Sequence, residues 1–202
     1  MSAAEPAREH SIAGYAGMLK LGAGWNTGLS TENATGLPVH GNGHAYVMLD
    51  QTLMPGLGAQ APDRLTFFTR MGRVFHPGRS MVDLTLEGGF TGRGFRTADQ
   101  WGVAVTYSRF SRSFVEAARA GGGTTSSTET ALELTYKAQI TPWMVLQPTL
   151  QRIYHPQIGA PTATVLGAVM TLSFWLHHAP RPSTSQVILR VDNFEAGGDT
   201  EA

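Results

Sequence analysis

Cysteine is absent from the chain, so neither a disulfide framework nor a thiolate metal site is available to it. Charge is also scarce: Asp, Glu, Lys and Arg make up 15% of the residues, against about 25% in typical soluble domains. Fifteen basic residues balance fifteen acidic ones, so the formal net charge is zero and no nucleic-acid footprint is expected. A run of about 18 apolar residues is missing, which excludes a transmembrane helix on length. The opening stretch MSAAEPAREHSIAGYAG has neither a basic region leading into an apolar one nor a cleavage site, so a secretory signal peptide is not expected there.

Glycine is plentiful, at 24 of 202 residues, well above the usual share of about 7% and suited to a turn-rich β protein. The clearest pattern lies in 129–175. There Leu132, Leu134, Tyr136, Ala138 and Ile140 alternate with Glu133, Thr135, Lys137 and Gln139. Leu146, Pro148 and Leu150 alternate with Gln147, Thr149 and Gln151, and Leu166, Ala168, Met170, Leu172 and Phe174 alternate with Gly167, Thr171 and Ser173. Five earlier runs, at 18–25, 44–53, 64–72, 82–90 and 100–108, repeat the alternation. The total is about eight strands of membrane-crossing length. Connections at 27–43, 75–80, 111–128 and 155–162 fall at one end, those at 54–63, 91–99 and 141–143 at the other. The first set holds the two longest, as an outer-membrane barrel with long external loops predicts.

Two architectures fit such alternation. A soluble barrel turns its greasy face inward; a membrane barrel turns it to lipid. The second is favoured by polar faces rich in Gly, Thr, Ser and Gln rather than dense Lys and Glu. It is also favoured by aromatics towards the strand ends, Trp25, Trp101, Tyr107, Trp143, Tyr154 and Phe174, at the level of a bilayer interface. The expected fold is an all-β antiparallel transmembrane β-barrel over 17–175, preceded by a segment 1–16 and followed by a polar tail 176–202.

The segments ETALELTYKAQITPWMVLQPTLQRIYHP and TVLGAVMTLSF resemble the C-terminal end of the carbohydrate-selective porins of the OprB type. LKLGAGWNTG, GHAYVMLDQTLM, LTFFTRMG and GGFTGRGFRTADQWGVAVTYSRFS resemble the same family more loosely. The resemblance implies a bacterial outer-membrane diffusion channel for neutral sugars, surrounded by outer-membrane lipid and built as a barrel of about sixteen strands. This chain would supply half of them, as a fragment lacking the first half. It further implies that the barrel-assembly machinery reads the last strand at Phe174. No cofactor, metal or catalytic step is called for. The alternatives are a closed eight-stranded membrane barrel with a structural or enzymatic role, and a soluble lipocalin-like barrel that binds a small ligand.

Within the channel reading, the polar faces offer Lys20, Asp50, Arg70, Asp83, Glu87, Glu133, Lys137, Gln147 and Gln151 as lumen candidates. A lining of both signs suits hydroxyl-rich neutral solutes. Arg70, in FFTRMG, leads this set, and Phe68 and Tyr46 are candidates for stacking on sugar rings. The glycines around Arg93 are expected to form a tight turn, since no helix follows as a phosphate loop requires. The stretch 111–128 is expected to be an external loop. Adjacent His177 and His178 would point apart on a strand and do not suggest a metal site. Both membrane readings predict that folded protein is recovered only with detergent or lipid; folded monomer in plain aqueous buffer would sink them.

Overall fold

The computed structural model describes residues 2–54, 65–123, 126–156, 160–175 and 184–191. Its strands are β1 (Ser2–Ala4), β2 (Ala7–Ile12), β3 (Tyr15–Thr31), β4 (Pro38–Met54), β5 (Leu65–Val74) and β6 (Val82–Arg93). They continue with β7 (Gln100–Phe110), β8 (Thr128–Thr141), β9 (Met144–Tyr154), β10 (Ala163–Trp175) and β11 (Thr184–Val191). One helix, α1 (Arg112–Ala120), lies between β7 and β8. All strands join a single sheet in the order β1-β3-β4-β5-β6-β7-β8-β9-β10-β11, with β2 also paired to β3. Every pairing is antiparallel between chain neighbours or near-neighbours, as short hairpin connections allow.

Register carries the alternation across the sheet. Phe67, Phe90, Val103, Leu134, Leu150 and Leu166 form one row over six strands on the greasy face. On the opposite face Asp50, Phe68, Gly89, Ala104, Glu133 and Gln151 form another. The greasy row is exposed: Leu134 is 54% exposed and Leu166 58%. Among the described residues only Phe110 and Val115 are buried hydrophobics. Left in water at about 25 cal/mol per Å2, such a band would cost on the order of the entire stability of a domain, about 5–15 kcal/mol. A lipocalin-like barrel, whose greasy side is buried at its centre, does not match this exposure.

The structure corrects several expectations. The eight expected strands are present as β3 to β10, and among the described residues three more join them: β1 and β2 from the segment 1–16 line the edge of β3, and β11 from the tail pairs with β10. Among the described residues the sheet order does not return from β11 to β1, and no closed eight-stranded barrel is present in them. The connection expected at 27–43 shrinks to six residues, since β3 and β4 continue as a polar hairpin. The stretch 111–128 contains α1, capped by Ser111, whose side chain accepts from the Phe114 N–H. Gly88, Gly89 and Gly92 lie inside β6 rather than in a turn. A Cβ on Gly89 would stand 2.2 Å from the Val103 carbonyl oxygen and 2.8 Å from the Phe68 ring, so glycine there serves close packing. The connection 55–64, His177, His178 and the tail past 191 lie outside the described residues, as does the side chain of Phe174.

With almost no apolar core, the buried side chains are polar staples at the two ends of the sheet. At one end Ser111, fully buried, donates to the Ser80 carbonyl at 2.6 Å, and the Asn33 amide reaches both Ser80 O (2.9 Å) and Ser111 Oγ (3.1 Å). This ties the β3–β4 hairpin and the 3-10 turn Pro77–Arg79 to the start of α1. At the other end Asp99, 1% exposed, accepts from Arg96 Nε at 2.7 Å, the Tyr136 hydroxyl at 2.8 Å and the Gln139 N–H at 2.9 Å. The turn between β6 and β7 is thereby bolted to β8. The Arg96 bond, helped by Gln139 and Tyr136, outweighs burial and lowers the Asp99 carboxyl from 3.8 to about 2.

A carboxyl depressed in the folded state stabilises it above the ordinary value and loses that contribution as pH falls towards the depressed one. Stability of the refolded wild type should therefore drop between pH 4 and 2, whereas Asp99→Asn, less stable at neutral pH, should be flatter in that window; urea midpoints across an acid titration check this. Gly89→Ala should destabilise by roughly 1–3 kcal/mol through overpacking against backbone, measured by the same unfolding assay.

Candidate functional site

The polar face of the sheet holds a recess of about 350 Å3 between β4 and β8. Alternation on β4, β5, β6 and β8 brings Asp50, Phe68, Arg70, Glu87 and Glu133 to it, with threonines 66, 91, 106 and 135 between them. The register sets Arg70 directly opposite Glu87, and Arg70 Nη1 lies 2.7 Å from Glu87 Oε1. The guanidinium also covers Phe68, 4.8 Å from its ring centroid. Phe68 is thus a prop for Arg70, not the free stacking surface expected of it. On the next strands Gln151 donates to Glu133 at 2.6 Å, and Gln147 donates to Thr135 at 3.2 Å.

The remaining candidates fall elsewhere. Lys20 pairs with Glu5 at 3.6 Å near the β3 edge. Asp83 sits where the β6–β7 register shifts between Val82 and Leu84, and accepts two bonds from Arg109 at 2.8 and 2.9 Å. Asp83 therefore lies away from the Arg70 recess, at the bulged end of β6. Lys137 is exposed on β8 and does not line the recess. Three carboxylates therefore face one guanidinium in the recess, which is acidic rather than balanced. The threonines went unnoticed among the candidates; their signal was the recurrence of Thr at alternate positions of the polar face, row by row.

Residues 4–174 match the family described as carbohydrate-selective porin, OprB family. The fold is similar to that of Pseudomonas putida OprB in its high-pH structure, with a TM-score of 0.66 and 19% sequence identity. That likeness covers 85% of this chain and 48% of the other, so the chain spans about half the length of that porin. No curated protein matches the sequence.

The Arg70–Glu87 pair is 42% and 30% exposed, so water screens it. A double-mutant cycle with Arg70→Ala and Glu87→Ala should give a coupling of about 0.2–1 kcal/mol, and a much larger value would mean that the recess excludes water.

Proposed function

The chain belongs to the carbohydrate-selective porin family of the OprB type, and from that premise we propose that its polar face forms part of the wall of an outer-membrane channel for passive diffusion of neutral sugars. The observation that carries this reading is the two-faced sheet: an exposed apolar band on one side, and on the other a recess with carboxylates, a guanidinium and hydroxyls. A sugar entering from water must exchange each hydration bond for another, and a wall of Asp50, Glu87, Glu133, Arg70 and threonines supplies both acceptors and donors. Diffusion needs many modest bonds rather than a few strong ones, since a solute must also leave. Arg70, held by Glu87 and Phe68, presents a fixed donor instead of a floppy one. Lipid meets the Leu134 and Leu166 side, and the barrel-assembly machinery inserts the sheet.

Proteoliposomes carrying the chain should swell in isotonic mono- and disaccharides; absence of swelling with both overturns the reading. Arg70→Ala should change sugar permeation by roughly two- to tenfold, the range of one or two hydrogen bonds. Glu87→Gln together with Glu133→Gln should shift the reversal potential in a salt gradient towards anions, because the recess then loses two of its three carboxylates.

A further inference from the structure

One row nearer the β3–β4 hairpin, the same sheet has a second hollow of about 220 Å3, bounded by His44, Tyr46, Gly72, Val74, Asp83 and Thr85. Tyr46 and His44 lie flat against glycines of β3. A Cβ on Gly22 would come within 2.1 Å of Tyr46 Cζ, and one on Gly24 within 2.7 Å of His44 Cε1. The two rings are stacked along β4, with centroids 6.3 Å apart and planes inclined by 16°. The Tyr46 hydroxyl donates to Glu5, which in turn pairs with Lys20. Gly72 keeps the floor clear, since a Cβ there would meet nothing within 4 Å.

Each ring therefore lies against a glycine of β3, and both rings border the hollow. The negative face of an aromatic ring attracts polarised C–H groups, which a pyranose presents on its apolar side. Beside the rings, the Thr85 hydroxyl can donate or accept, and the Asp83 carboxylate, oriented by the two Arg109 bonds, accepts. The volume accommodates one sugar ring. Resting on the channel reading above, we propose that this hollow is a second carbohydrate subsite, separate from the Arg70 recess, in which one pyranose ring packs on Tyr46 and His44. Gly22 and Glu5 are its positioning residues: the first lets the Tyr46 ring lie flat, the second holds its hydroxyl.

The test is saturation-transfer NMR of methyl β-glucopyranoside with the full chain refolded in detergent micelles, which needs the sheet but not a sealed channel. Tyr46→Ala should weaken binding by roughly three- to tenfold, the worth of one aromatic contact. Tyr46→Leu, which keeps apolar bulk without a ring face, should do the same and serves if the alanine variant does not fold. Gly22→Ala should weaken binding alone but add nothing to Tyr46→Ala, and Glu5→Gln should add nothing to Tyr46→Phe, because each acts through the ring. A wild type that shows no transfer, a Tyr46→Leu effect below twofold, or fully additive effects of Gly22→Ala and Tyr46→Ala would overturn the subsite. Swelling without sugar transfer in micelles defeats this subsite alone; transfer without swelling defeats the channel alone.

Discussion

Hydrocarbon offers no hydrogen bonds, so every backbone N–H and C=O that enters a bilayer must find its partner inside the protein. The antiparallel ladder from β3 to β10 meets that demand strand by strand, and the rest of the structure follows from it. Because the ladder sets the register, it also sets which side chains share a face. The row ending in Leu166 and the row ending in Gln151 are two sides of one set of pairings. A slip of a single residue in any strand would carry carboxylates to the greasy side and leucines to the polar side.

Apolar packing inside the wall contributes little, since a single sheet has no interior. Specificity at the strand ends falls instead to satisfied polar groups. Ser111 and Asp99 are the most deeply buried side chains described, and both are fully hydrogen-bonded. The first joins three connections at the helix end, the second locks a short turn to a neighbouring strand. At both places the groups that close off the sheet are ones that can bond to backbone.

The eight long strands and the facing of Glu133, Gln151, Arg70 and Glu87 were legible because alternation with period two is a direct image of the pleat. What escaped lacked that image. The hairpin formed by the ends of β3 and β4 is polar on both faces, so no alternation marked it. Strands β1, β2 and β11 are recruited by the edges of β3 and β10, and their pairing depends on the partner rather than on their own pattern. The bulge beside Asp83, where Arg109 meets it, is likewise not announced by local sequence. The prop under Arg70 depends on Gly89 meeting Phe68 across strands, a coincidence of register invisible in either segment alone.

The pairing order has a consequence of parity. Neighbouring strands alternate in direction along the path from β3 to β10, so these two strands run opposite ways. The same holds for the flanking pieces, since β1 and β2 oppose β3 and β11 opposes β10. The ribbon therefore ends in two oppositely directed rims. An all-antiparallel cylinder can be completed only by inserting an even number of strands between those rims, or none, and an odd number would force one parallel seam.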